Sequence, residues 1–269
     1  MWSPSFNTVR VALSSQRLAV AQSGAFWSDK PGACDCVDDL PDAPSQPWQP
    51  AVAALVQWLG TKRGRKPALQ VVLSGRFVRW QLLPWRAELT RPDELAAYAA
   101  LRFRETFGVV AGDWQLMLSP QPPGKAVLAC AVDVALMQAL RTTCESVGAK
   151  LAAVTPYFAA AFDHWRGELG NKAAWFGLIE SDCVSLGLLR DGDWMGLRTQ
   201  RISGHWCDVL PGLMAQIGIA AGLAETALPL YLVGEGEPPT PAVGLTFTWL
   251  QPKVPAQGTL PGGRMAMGI

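Results

Sequence analysis

Val71-Val-Leu-Ser-Gly-Arg-Phe-Val-Arg-Trp-Gln-Leu-Leu-Pro84 holds the end of one strand and the whole of a second. Ala68 to Leu73 is a nearly unbroken apolar run, the pattern of a strand buried on both faces. After Ser74-Gly75, the run Arg76 to Leu82 alternates Arg79, Trp80, Gln81 and Leu82, which predicts a strand with one side toward solvent, ended by Pro84. Thr90-Arg-Pro-Asp93 then starts a helix. Thr90 can cap it, Pro92 suits its first turn, and Asp93 and Glu94 favour the positive end of the dipole. Its expected apolar face is Leu95, Tyr98, Leu101 and Phe107, with Arg102, Arg104 and Glu105 outward.

Downstream, Asp113 to Leu118 and Lys125 to Val132 read as strands joined by the proline-rich Ser119 to Gly124. Asp133 caps a helix to Val147, with Leu136, Ala139, Leu140 and Cys144 inward and Gly148 as its stop. Leu151-Ala-Ala-Val-Thr-Pro156 closes the segment as a strand, followed by a helix from Tyr157 to Trp165.

Upstream, Thr8 to Leu13 and Leu18 to Ala21 form an opening hairpin around Ser14-Ser-Gln-Arg17. Ser28 to Pro50, rich in proline and aspartate, reads as a long loop. Ala51 to Gly60 is a helix with Val52, Leu55, Val56 and Leu59 on one face and Gly60 as its stop. Beyond Gly170, Trp175–Ile179, Val184–Leu189 and Trp194–Thr199 read as antiparallel strands, with Asp191-Gly192 at the second turn. A helix near Trp206–Leu223 and a strand at Leu228–Val233 complete the pattern. In the tail, Val243, Leu245, Phe247 and Trp249 alternate with small polar residues, as in one docked amphipathic strand. The hairpin, helix and strand order therefore occurs twice.

The chain has 269 residues, 49% of them hydrophobic, a mean hydropathy of +0.15, and 23 Lys+Arg against 22 Asp+Glu, which suits a packed globular chain of one large or two small domains. A net charge of +1 excludes a nucleic-acid polyanion as the expected main partner. Only Thr61-Lys-Arg-Gly-Arg-Lys66 is locally basic. Met1-Trp-Ser-Pro shows no signal peptide, and the uncharged run Val209–Ala224 is too short and too rich in glycine and proline for a bilayer span. Of the six cysteines only Cys34 and Cys36 are close in sequence, and both histidines, His164 and His205, lie far from them, so the expectation is reduced thiols and no metal site.

The strand with Ser74-Gly75, the strand to Leu83-Pro84, the helix ending Arg102-Phe-Arg-Glu105, Ala129-Cys-Ala-Val-Asp133, Val147-Gly148 and the hairpin closing on Arg190-Asp-Gly192 together resemble the PilM family of type IV pilus proteins. They also resemble the cytoplasmic domains of the type II secretion protein GspL and the MSHA pilus protein MshI. The resemblance implies an α/β, actin-like fold of two ribonuclease-H-like halves, with a small α+β subdomain inserted in the first half and a shortened second half. The halves would span 1–170 and 171–269, with the insertion at about 76–133.

Actin-like ATPases carry Asp-x-Gly in their hairpins, the carboxylate holding Mg²⁺ through water and the glycine admitting phosphate to backbone N–H groups. Aligned on that pattern, the first hairpin has Ala12 and Ser14, the second Leu178 and Glu180, and the adenosine loop Val233-Gly-Glu-Gly-Glu237 puts Glu235 beside the nucleotide. The expectation is no nucleotide cofactor, no metal and no catalytic residue. The resemblance implies instead a cytoplasmic scaffold at the inner face of the bacterial inner membrane, holding the tail of a single-pass membrane protein of the PilN or GspL/GspM kind. The assembly ATPase is a further possible partner. Partner contacts would fall on Arg76, Val78, Trp80, Leu82, Trp85, Tyr98 and Arg102, in a groove beside the insertion.

Two other readings stay open: an actin-superfold ATP-binding protein or small-molecule kinase, and a sensor that binds nucleotide without hydrolysis. No G-x-x-x-x-G-K-[ST] or G-x-S-x-G motif is present, and Gly234-x-Gly236 lacks the third glycine of a dinucleotide fingerprint.

Overall fold

A computed structural model describes residues 8–22, 34–61, 67–89, 91–119, 121–170, 173–223, 227–234, 245–251 and 262–269. In chain order the elements are β1 (Thr8–Leu13), β2 (Leu18–Gln22), β3 (Cys34–Val37), α1 (Gln49–Thr61), β4 (Ala68–Leu73), β5 (Val78–Leu83), α2 (Pro92–Phe107), β6 (Trp114–Leu118) and β7 (Val127–Asp133). There follow α3 (Val134–Ser146), β8 (Lys150–Pro156), α4 (Tyr157–Leu169), β9 (Ala174–Ile179), β10 (Cys183–Arg190), β11 (Asp193–Arg201), α5 (Trp206–Ala220), β12 (Leu230–Gly234), β13 (Thr248–Trp249) and α6 (Gly263–Met267).

The duplication is explicit in the sheets. The first has order β3-β2-β1-β4-β8 and the second β11-β10-β9-β12-β13. In the first, β1 runs antiparallel to β2 and parallel to β4, and β4 is parallel to β8. In the second, β9 is antiparallel to β10 and parallel to β12, and β12 is parallel to β13. The parallel pairs β1–β4 and β9–β12 need crossovers, in which α1 and α5 supply the helix, and the β4–β8 crossover contains α2 and α3. Asp191 (φ 54°) and Gly192 (φ 83°) are both left-handed, the type I′ turn that matches the twist of β10 and β11.

The chain forms two compact units. One comprises Met1–Phe77, Leu136–Trp165 and Gln251–Ile269, and contains the first sheet with α1 and α6. The other comprises Val78–Ala135 and Arg166–Leu250, and contains the second sheet and a three-stranded antiparallel sheet of order β5-β7-β6. In the first unit the last residues are tied down: the Tyr157 hydroxyl donates to the Ile269 carbonyl oxygen at 2.9 Å and Arg10 Nη1 to that of Met267 at 3.1 Å.

In the second unit, α5 and the second sheet enclose Leu186, Leu188, Leu210, Ile217 and Leu232. A Cβ on Gly196 would lie 2.7 Å from Ile217 Cγ2, so glycine there lets α5 approach β11. Of the alternating tail residues, Leu245, Phe247 and Trp249 all pack on this core, although only Thr248–Trp249 pair as strand and Val243 lies outside the described residues. The smaller sheet packs its Leu83, Ala129 and Ala131 face on α2 around Phe103, whose ring centroid lies 5.7 Å from Phe107 and 6.5 Å from Trp114.

Several expectations are corrected. The Ser28–Pro50 segment contains β3, paired with β2 from Ala21↔Cys34 to Leu18↔Val37; it is a short edge strand whose Asp35 faces outward, so it lacks an apolar run. On α1, Val56 is exposed, Ala51 and Ala54 are buried, and the helix continues past Gly60 to Thr61. On α2, Leu101 is 53% exposed, whereas Phe103 is fully buried. The Thr90 cap lies outside the described residues; at this helix start the Glu94 carboxylate accepts from the Arg91 N–H at 3.1 Å.

The α2 assignment has a direct check by urea denaturation. Phe103→Ala is expected to cost about 3–5 kcal/mol by opening a cavity, and Leu101→Ala less than about 0.5 kcal/mol.

Candidate functional site

The two central hairpins close alike. In the first, the Ser14 N–H donates to the Arg17 carbonyl oxygen at 2.9 Å, and the Arg17 N–H to Ser14 Oγ at 3.0 Å. In the second, the Glu180 N–H donates to the Cys183 carbonyl oxygen at 2.9 Å, and the Cys183 thiol to Glu180 Oε1 at 3.4 Å. Ser14 and Glu180 thus occupy equivalent turn positions, two residues after Ala12 and Leu178. Both of the latter are buried and apolar, offering no oxygen to a hydrated cation. Glu235 lies outside the described residues.

The seven residues expected at a partner surface are spread over more than one face. Arg76 belongs to the first unit, in a 3-10 turn where its N–H donates to Ser74 Oγ at 3.1 Å. The other six lie in the second unit. Val78 is fully buried, so its side chain offers no surface. Trp80 and Leu82 share its face of β5 and are half-buried, and Trp85 past the Pro84 corner is 48% exposed. The opposite face meets α2, where Gln81 Nε2 donates to the Arg102 carbonyl oxygen at 3.2 Å. Tyr98 is held on that helix by Arg86, whose Nε donates to the Tyr98 hydroxyl at 3.3 Å and whose guanidinium carbon lies 5.2 Å from the ring centroid.

Trp80 and Arg102 nevertheless meet in one place, a cleft of about 660 Å³ inside the second unit. Four elements line it: β5 from Val78 to Leu82, β11 from Met195 to Gln200, α2 through Arg102, Thr106 and Phe107, and α5 through Leu213, Gln216, Ile217 and Ala220. Consecutive residues of both strands contribute, and the two strands lie against each other with Cα atoms within 8 Å. Arginines at 79, 102 and 198 line it and, among the described residues, no carboxylate does. Burial pushes the Arg79 guanidinium below its ordinary pKa, Cys183 opposing the shift. The β11 side was invisible in the sequence, because nothing local says that residues 195–200 lie beside 78–82.

No protein-family model matches the sequence, and no curated protein does. Solved structures do match. The cytoplasmic domain of EpsL, an inner membrane component of the type II secretion system of Vibrio cholerae, superposes with a TM-score of 0.61 at 12% identity, covering 96% of this chain and 92% of that one. A Bacteroides thetaiotaomicron protein with an actin-like ATPase fold and unknown function gives 0.56 at 12% identity over 86% and 82%. The PilM-PilN type IV pilus biogenesis complex gives 0.56 at 15% identity over 86% and 82%. The fold is actin-like. The likeness to GspL and PilM read from short patterns is thus matched in three dimensions.

Among the described residues of this actin-like fold, no cluster of three or more His, Cys, Asp or Glu could hold a metal ion, and no helix is long and apolar enough to cross a membrane. Cys34 and Cys36 lie on one face of β3 with their Sγ atoms 3.6 Å apart. Burial, followed by the neighbouring Cys34, pushes the Cys36 thiol from 9.0 to about 12. A thiol raised on folding stays protonated in the native state, so its stabilising contribution is complete below pH 9.0 and is lost as pH rises through about 12. Iodoacetamide at pH 8 is therefore expected to alkylate Cys36 in the native protein far more slowly than in urea, as peptide mass mapping can measure.

Proposed function

We propose that the protein is a non-enzymatic docking scaffold of a type IV pilus or type II secretion assembly, which holds the cytoplasmic tail of a single-pass inner-membrane protein and binds no nucleotide. The observation that carries this reading is the end-to-end superposition on the cytoplasmic domain of EpsL, covering 96% of this chain and 92% of that one. The match to the PilM-PilN complex supports a membrane-protein partner of the PilN or GspL kind, met at the inner face of the membrane.

The hairpin chemistry supports the non-catalytic half of the reading. A phosphoryl-transfer site positions a metal and surrounds phosphate with N–H donors and cations. Here the positions aligned with the metal-holding aspartate are Ala12 and Leu178, both buried, and Glu180 sets a carboxylate at the second turn where phosphate would require none. The docking surface consists of β5, the Pro84 corner and α2 in the second unit, with Trp80, Leu82, Trp85, Tyr98 and Arg102 as contacts. Aromatic and arginine side chains are the usual anchors of such interfaces. This treats the insertion at about 76–133 as the functional subdomain of the first repeat.

Two measurements test the proposal. Saturating Mg-ATP or ADP is expected to leave the melting midpoint unchanged; a ligand present at 100 times its Kd would add about 2.7 kcal/mol, and in a chain of this size several degrees. A reproducible rise would make the chain a nucleotide-binding member of the superfold instead. Separately, the cytoplasmic tail of a pilus or secretion inner-membrane protein encoded beside it is expected to co-purify, with retention lost in Trp85→Ala/Tyr98→Ala. Retention of no such tail overturns the docking role.

A further inference from the structure

Two thiols stand together on β3, on other elements than the docking surface. Cys34 and Cys36 flank Asp35, so their side chains leave one face of the strand and that of Asp35 the other. Asp35 Oδ2 accepts from Trp58 Nε1 of α1 at 2.8 Å, and β3 pairs along β2, which holds the strand from its other face and from one edge. Opposite the two cysteines β2 carries Ala21 and Ala19, whose small side chains leave room beside the sulfurs. A Cβ on Gly263 of α6 would lie 3.6 Å from Cys34 Sγ, so the helix start comes close to this sulfur and its missing side chain leaves space there.

The Sγ atoms are 3.6 Å apart, and both cysteines are free and half-buried. Residues two apart on a strand are separated by about 6.6 Å, whereas a disulfide draws its Cβ atoms to about 3.8 Å. Closing this pair into a disulfide would therefore require β3 to buckle. A single ion between two thiolates asks for less. With metal–sulfur bonds of about 2.3 Å, the sulfurs of a bridged pair lie between about 3.3 Å for a right-angled arrangement and about 4.6 Å for a linear one. The observed separation falls inside that range. Among the described residues no third His, Cys, Asp or Glu stands with the pair, so the four protein ligands of a structural zinc site are not assembled. Two thiolates alone are a ligand set that selects a soft cation, and copper(I) is the soft cation of the first-row metals.

Burial, followed by Cys34 and Asp38, holds the Cys36 proton in place, and Arg17, paired with Asp38, acts the other way. A cation between the sulfurs displaces that proton, so its binding tightens as pH rises.

We propose that Cys34 and Cys36 form a two-thiolate site for one soft monovalent cation, copper(I), at the edge of the first sheet. Two copper–sulfur bonds form, the two S–H protons pass to solvent, and no electron is transferred. The site does not rest on the docking role, and either stands if the other fails.

The test uses the full chain, reduced and stripped of metal, titrated anaerobically with copper(I) against bicinchoninate as a coloured competitor. One equivalent is expected to be taken from the competitor, with affinity rising about tenfold or more per pH unit between about pH 6 and pH 8. Loss of a supporting group around a metal costs about 10 to 100-fold in affinity, so loss of a ligand in Cys34→Ser or Cys36→Ser should cost about a hundredfold or more. Cys207→Ser, at a half-buried thiol elsewhere in the chain, should leave the affinity unchanged. Circular dichroism checks that the variants are folded, and Cys34→Ala serves where a serine variant is not. Failure to take copper from the competitor, or uptake that survives both serine variants, overturns the proposal. Equally tight retention of Zn²⁺ does so as well, because it would reveal further ligands. So does closure of the pair by oxidised glutathione to a stable disulfide, read as the loss of two hydrogens from the peptide carrying both cysteines, which would make it a redox couple.

Discussion

The structure depends on a strand that must be covered on both edges at once. β1 lies between antiparallel β2 and parallel β4, and β9 between antiparallel β10 and parallel β12. A strand in that position is shut off from water on both edges, and β9 is buried at every residue. The requirement explains why Ala12 and Leu178 sit where they do. Packing selects the side chain at these two places, and both are ordinary core.

The same requirement decides how much was legible. Buried central strands are apolar runs and helices show their spacing, so the order of elements and its repetition could be read from the chain. Asp191-Gly192 was readable because only a few residues accept two left-handed conformations in succession. What escaped was set by partners remote in sequence. β3 is an edge strand with a half-exposed face, and nothing apolar marks it. Phe103 was hidden because Arg102 and Arg104 flank it, and Leu101 drew the apolar face one step round the helix. The pairing of residues 78–82 with 195–200 in one cleft has no local signature at all.

The aromatic residues divide along the same line. Phe103, Phe107 and Trp114 form one cluster under α2, and Trp206, Phe247 and Trp249 another at the end of the second sheet, with centroids 5.7 to 6.5 Å apart in the latter. These fill volume. Trp85 instead stands past a proline corner beside Arg86 and is 48% exposed, so its bulk is not consumed in the same way.

The parallel alignment of β4 with β8 constrains the order of assembly. β4 ends at Leu73 and β8 begins at Lys150, so the ribosome must release the entire intervening stretch before the first sheet can gain its last strand. Closing so long a loop is entropically slow relative to hairpin formation. The intervening β5-β7-β6 sheet is antiparallel and local, so its strands can pair before that loop closes, yet it belongs to a compact unit completed only by Arg166–Leu250. During synthesis the nascent chain therefore carries the strands of this small sheet before their later neighbours have emerged.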